Sequence, residues 1–141
     1  MTTIVWQPGV LACDKRVTED NIVSGNGACK AVEDATTVYA VTGTLTQGLR
    51  FVVYLQGDRS GKPPRLKSAT VIEFDKRTGA ARVWECKYMS LPCKGVYAMG
   101  SGGQLALGAM SAGASPEEAI RIASKHDAYT GHGVQVWRKG K

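Results

Sequence analysis

A threonine second in a chain can serve as nucleophile and base at once. The sequence begins Met1-Thr2-Thr3-Ile4-Val5. Thr2 is small enough for Met1 to be trimmed, and trimming leaves a free α-amine and a hydroxyl on one residue. An α-amine, which ordinarily titrates at about pH 8, accepts the hydroxyl proton at neutral pH. Many chains begin Met-Thr, so this chemistry needs supporting groups elsewhere. The candidates are Asp14, Lys30, Gly43, the run Gly100-Ser101-Gly102-Gly103, and Asp127-Ala128-Tyr129-Thr130-Gly131. Taken singly, each has an ordinary explanation. A lone strand lysine is usually a solvated side chain, and a lone loop aspartate is usually a cap. The glycine run would be a plain turn into a helix. As a phosphate loop it lacks the GK[ST] ending.

The elements that must position these residues follow from periodicity and turn chemistry. Short β-branched and apolar runs predict strands at 3–6 and 10–13, joined through Pro8-Gly9. Asn21 to Val23 reads as a short strand before a Gly25-Asn26-Gly27 turn. Strands are expected at 28–33 and 37–42, with 34–36 as a tight connection. The segment from Leu45 to Leu55 reads as a helix, with Leu45, Leu49, Val52 and Val53 on its inner face. Residues 57–67 are a polar loop containing Pro and Gly. Strands at 69–74 and 81–85 flank an Asp75–Gly79 hairpin turn. A strand at 96–99 runs into the glycine cluster, and a small-residue helix follows over 104–112. Ser115-Pro116-Glu117-Glu118 is a helix start, with Ser as N-cap and Pro in the first turn. Ala119, Ile120, Ile122 and Ala123 are expected to face a core, and 133–137 closes the chain as a strand. Runs of strands set apart from runs of helices indicate an α+β fold.

Composition bounds the function. The chain has 141 residues, 43% of them hydrophobic, which fits one globular domain over 1–141 and excludes a disordered chain. No apolar run reaches membrane-spanning length, and no basic stretch with an apolar region opens the sequence, so a cytoplasmic protein is the expectation. The net charge of +6 raises nucleic acid as a partner. The basic residues are scattered, and their densest stretch, Arg59 to Lys67, is broken by Gly61, Pro63 and Pro64. That pattern speaks against nucleic-acid binding. Cys13, Cys29, Cys86 and Cys93 form no CxxC pair, and His126 and His132 complete no zinc site. They read as reduced thiols, with a Cys86–Cys93 bridge as the alternative. Trp6 and Trp137 are equally readable as contact or core residues.

Taken in order, these features resemble the proteasome β-subunit and HslV family of N-terminal-nucleophile (Ntn) hydrolases. The opening Thr-Thr-Ile-Val, the strand ending in Asp14, Lys30, the GSGG at 100–103 and DAYTG at 127–131 fall in the family's order. The stretches YAMGSGGQLALGAMSAGAS and DAYTGHGVQV read like short bacterial and phage members. The resemblance implies a shortened four-layer αββα sandwich, two antiparallel sheets between helical layers. The chain is shorter than typical members, and the loss falls between Leu55 and Ala69, where a second long helix is expected.

By the same resemblance Thr2, freed of Met1, would be the nucleophile. Lys30 would be the cation beside it, and Asp14 the carboxylate that orients the lysine. Gly43 N–H would be the oxyanion donor, while Ser101, Asp127 and Thr130 would hold the amine and lysine in register. The family has serine where this chain has Thr130, and the hydroxyl is kept. Val17, Ala28, Val41, Leu45 and Leu49 would line the pocket for the side chain before the cleaved bond. All are apolar, so hydrophobic residues would be preferred there. The implied activity is threonine-type endopeptidase action on peptide or unfolded protein, with no metal, nucleotide or other cofactor. The implied setting is a homo-oligomeric ring working with an ATP-dependent unfoldase. The alternative is a catalytically inactive Ntn-fold protein acting in assembly or interaction.

Overall fold

The computed structural model describes residues 2–19, 22–26, 30–85 and 89–140. β1 (Ile4–Gln7) and β2 (Val10–Asp14) form a hairpin. Together with β10 (Tyr97–Met99) and β11 (Val134–Arg138) they build a four-stranded antiparallel sheet in the order β10-β1-β2-β11. The second antiparallel sheet has five strands in sequence order: β5 (Ala31–Glu33), β6 (Thr37–Gly43), β7 (Ala69–Asp75), β8 (Ala81–Glu85) and β9 (Met89–Pro92). β3 (Arg16–Glu19) and β4 (Ile22–Asn26) pair as a separate ribbon. The helices are α1 (Leu45–Gln56), α2 (Gly103–Ser111) and α3 (Pro116–Ser124).

Side-chain alternation explains the layering. Successive strand residues point to opposite faces, and here both faces of each sheet are covered. Ile4, Trp6, Leu11 and Cys13 point inward and meet Val38, Ala40, Ile72 and Phe74 of the other sheet. Between them, Val5 and Ala12 point outward onto Ala106, Met110, Ala119, Ile120 and Ala123 of α2 and α3. On the other side, Tyr39, Val41 and Val71 point outward onto Phe51, Val52 and Leu55 of α1. The order is therefore α1, five-stranded sheet, four-stranded sheet, then α2 with α3. Trp6 and Trp137 belong to the core between the sheets.

The α1 face differs from the sequence-based expectation. Gly48, Phe51, Val52 and Leu55 are buried, whereas Leu45 and Leu49 are partly exposed and Val53 is 70% exposed. A glycine set the face. At Gly48 a β-carbon would lie 2.1 Å from Val41 Cγ1, so the helix rests on the strand at the residue with no side chain. Hydrophobicity periodicity cannot register a contact made by a missing atom. Ile122, expected inside, is likewise 38% exposed, while Pro116 is buried in its place. Residues 25 and 26 extend β4 instead of forming a turn. β3 and β9 were not anticipated, being too short and mixed to show a period.

One consequence is measurable. Gly48→Ala gains helix propensity of about 1 kcal/mol but overpacks against Val41, at a cost of about 1–3 kcal/mol. The clash wins, so the urea midpoint falls, and adding Val41→Ala restores part of the loss in a double-mutant cycle.

No helix covers residues 57–68. Leu66 from this segment plugs the α1 layer. Arg59 ties it down: its guanidinium pairs with Glu73 and lies 5.8 Å from the Trp84 ring centre, and its Nε donates to Leu55 C=O at 3.1 Å. The polar loop expected over 57–67 is thus present and held down by a side-chain strut.

Candidate active site

The site begins at the paired ends of β1 and β10. Their pairing ends at Ile4↔Met99, just beyond which Gly100 meets the Thr2–Thr3 backbone. The approach is close enough that a β-carbon at Gly100 would lie 1.5 Å from Thr2 C=O, and Gly100 has φ +94°. At Gly102 a β-carbon would lie 2.6 Å from the hydroxyls of both Thr3 and Thr130. The glycine cluster is thereby accounted for by packing against the chain start, not by a phosphate.

Asp14 ends β2 and is fully buried. Its Oδ1 accepts Thr3 N–H at 2.9 Å and the Lys30 ammonium at 3.2 Å. Its Oδ2 accepts Gly131 N–H at 3.1 Å and Arg16 N–H at 3.3 Å. Four donors compensate the loss of water around the carboxylate. One oxygen thus joins the Thr2–Thr3 peptide to Lys30. Lys30 is 3% exposed. Burial pushes its ammonium below the usual lysine range, against the opposing pull of Asp14.

A second network fixes Thr3. Gly102 N–H donates to Thr3 Oγ1 at 2.9 Å, and Thr3 Oγ1 lies 2.6 Å from Thr130 Oγ1. Thr130 donates to Asp127 Oδ2 at 2.5 Å, so its oxygen is the acceptor and Thr3 the donor between the two hydroxyls. Thr3 therefore spends its proton and an oxygen lone pair on structure. Ser101 also donates to Asp127 Oδ2, at 2.7 Å. Burial acts to raise the Asp127 pKa, but the Ser101 and Thr130 hydroxyls and Tyr129 N–H pull it below the usual carboxylate value. Between the folded value and the ordinary 3.8 the unfolded chain binds more protons, so stability rises with pH there. The contribution is complete above the ordinary value and lost as pH falls through the folded one. Asp127→Asn should flatten the acid limb of stability, read as urea midpoints from about pH 2 to about pH 5.

Gly43 closes β6 with φ +86°, a conformation that suits glycine. Strand pairing fixes where its N–H points. Thr44 N–H bonds Ser68 C=O across the β7 side, while Val41 N–H bonds Lys30 C=O across the β5 side. Alternation turns Gly43 N–H, like that of Val41, toward the Lys30 side. Thr42 Oγ1 donates to Thr2 C=O at 3.3 Å, which sets the Gly43 turn beside Thr2.

The structure therefore brings together Thr2, Asp14, Lys30, Gly43, Ser101, Asp127 and Thr130. Of the proposed pocket residues, Leu45 and Leu49 are partly exposed near the Gly43 turn. Val41 is buried beneath α1 and not at an open wall. Ala28 lies outside the described residues, as do Cys29 and Cys86, and the Val17 side chain is not described. Three participants were assigned no role from sequence. Thr3 and Gly131 are two. Arg16 is the third: its Nη1 donates to Ala128 C=O at 3.0 Å and its guanidinium packs over Gly131. The Arg16 and Gly131 contacts to Asp14 run through backbone N–H groups, which leave no mark on residue type. Among the described residues no cluster of His, Cys, Asp and Glu could hold a metal ion.

The layers define an αββα sandwich whose fold is shared with solved HslV and BPH structures. Among solved structures, eukaryotic HslV from Trypanosoma brucei superimposes with a TM-score of 0.72 at 19% identity, over 95% of this chain and 97% of that one. Thiobacillus denitrificans BPH in complex with epoxomicin gives 0.69 at 18% identity, over 99% of both chains. BPH alone gives 0.69 at 19% identity, over 99% of this chain and 98% of that one. At these identities the likeness is one of fold. No family model and no curated protein matches the sequence.

Proposed function

We propose that this chain is an N-terminal threonine peptidase, active once Met1 has been removed. The observation that carries the reading is the single Asp14 oxygen shared by Thr3 N–H and the buried Lys30 ammonium. It places a cation one carboxylate atom from the peptide following Thr2, and the commitment of Thr3 leaves the nucleophile's role to Thr2.

In this mechanism the Thr2 α-amine takes the hydroxyl proton through a water, and Oγ attacks the scissile carbonyl carbon. Lys30 stabilises the developing alkoxide, and Asp14 orients Lys30. Gly43 N–H stabilises the tetrahedral oxyanion. The carbon–nitrogen bond then breaks, and the proton held by the amine leaves with the departing peptide. Water activated by the same amine attacks the ester and releases the acid, restoring Thr2. Ser101, Asp127 and Thr130 hold the chain start in register. Leu45 and Leu49 form part of the wall for an apolar side chain before the cleaved bond. The substrate is peptide or unfolded protein, and the working unit is a homo-oligomeric ring in the cytoplasm served by an ATP-dependent unfoldase. The fold of the HslV and BPH structures supports this setting. Among the described residues no helix is long and apolar enough to cross a membrane.

Intact mass tests the reading. The native protein is expected to lack Met1 and to gain one adduct per chain, at Thr2, from a threonine-directed covalent inhibitor. A fluorogenic panel is expected to show faster cleavage after Leu or Phe than after Arg or Glu. Retained Met1 with no adduct would overturn the enzyme reading and leave an inactive Ntn-fold assembly protein.

A further inference from the structure

Gly43 and Thr44 lie where β6 runs into α1, and they are held from the far side by the segment before β7. Thr44 N–H donates to Ser68 C=O at 2.8 Å, and the Thr44 and Ser68 hydroxyls are 2.7 Å apart. Gly43 packs on the same carbonyl: a β-carbon there would lie 2.3 Å from Ser68 C=O. The Gly43 peptide can be no better placed than Ser68. Residues 57–68 form no helix or strand. The two N–H groups nearest the turn, those of Lys67 and Ser68, both donate to one side-chain oxygen, Gln47 Oε1, at 3.1 and 3.0 Å. Gln47 stands in the first turn of α1, and α1 is fixed to the sheet by Phe51, Val52 and Leu55. A continuous chain of contacts therefore runs from the rigid helix through the Gln47 carboxamide to Ser68, and from Ser68 to Gly43.

We propose that Gln47 is a positioning residue for the reaction assigned above: its carboxamide oxygen clamps Lys67 and Ser68 so that Gly43 N–H is aimed at the developing oxyanion. The inference rests on the reading of Gly43 as the oxyanion donor. Such a donor acts through alignment, and deleting one outright costs about 10²–10³ in kcat. Loosening it costs a fraction of that. Because the oxyanion exists only past the ground state, the loss falls on kcat and not on KM. The requirement is for an acceptor at that reach, not for an amide. The cleft of about 340 Å³ beside Gln47 is lined by Arg50, Pro64, Arg65 and Lys67. Those cations make a carboxylate tolerable in Gln47's place.

The test uses the Met1-processed full chain, with peptide hydrolysis and the rate of inhibitor adduct formation at Thr2 as readouts. Gln47→Leu is expected to lower kcat by about 10-fold with KM changed less than about twofold, and Gln47→Glu to stay within about threefold of the parent. A parent-like kcat for Gln47→Leu, an equal loss in Gln47→Glu, or a loss confined to KM would each overturn the clamp while leaving the peptidase reading intact. If Gln47→Leu does not fold, Thr44→Val, which removes an exposed hydroxyl of the same clamp, carries the test. Its expected loss is several-fold in kcat, and an unchanged kcat overturns the proposal. A parent protein that neither cleaves peptide nor forms the adduct overturns the peptidase reading and the clamp with it.

Discussion

Thr2→Ala is expected to abolish the covalent adduct and to lower peptide hydrolysis by at least about 10³-fold, with the fold unchanged. Alanine is small enough, like threonine, for Met1 removal, so processing continues and the amine is still exposed. Only the hydroxyl is lost, and with it the atom that forms the ester. Thr2 is 5% exposed and its carbonyl accepts from Thr42, a contact that alanine keeps. The contrast is Thr3→Val. There the Gly102 N–H loses its acceptor and Thr130 its donor, at a cost of about 1–3 kcal/mol for a buried unpaired group. The folded fraction of Thr3→Val should still be labelled at Thr2. Intact mass reads the adduct, and urea midpoints read the stability. An adduct that disappears in Thr3→Val and persists in Thr2→Ala would exchange the roles of the two threonines.

Asp14→Ala is expected to be the most destabilising single substitution in the site. It removes the acceptor shared by the buried Lys30 ammonium, the buried Thr3 and Gly131 N–H groups and the part-buried Arg16 N–H. Breaking a buried ion pair by removing one partner costs about 3–5 kcal/mol. Domains of this kind have about 5–15 kcal/mol in total, so the variant sits near the folding threshold. Lys30→Met should cost less. The carboxylate then keeps its three backbone donors, and the methionine fills the apolar length of the lysine stem. The expected order of urea midpoints is parent, then Lys30→Met, then Asp14→Ala. On the peptidase reading both variants are expected to lose activity, one with its fold and one largely without. A reversed order would mean that the lysine, not the carboxylate, organises the centre.

Legibility from sequence divided along physical lines. Strands such as β7 and β8 were readable because β-branched runs bounded by Asp75–Gly79 leave no competing period. α3 was readable from Ser115, whose hydroxyl accepts from Glu118 N–H. The face of α1 was not, because contact at Gly48 depends on absent atoms. In the site, side-chain donors and acceptors such as Lys30 and Asp127 were visible as residue types in order. The roles of the Asp14 partners Gly131, which ends the DAYTG run, and Arg16 were unreadable because both reach the carboxylate through backbone N–H groups. Thr3 was hidden by its neighbour: of two adjacent threonines just before β1, residue type does not say which one turns its hydroxyl to Gly102 and Thr130.

The Asp14 carboxylate collects its donors from opposite ends of the chain. Thr3 and Arg16 are made first, but Gly131 is held in place by the closing strand β11 pairing with β2. Lys15 N–H likewise waits for Gly131 C=O. During synthesis the first third of the protein, Thr2 included, leaves the ribosome long before residues 127–138. Contacts of such long sequence separation form late. On the peptidase reading proposed above, a chain truncated before residue 131 carries Thr2 without the Gly131 N–H that completes the Asp14 site.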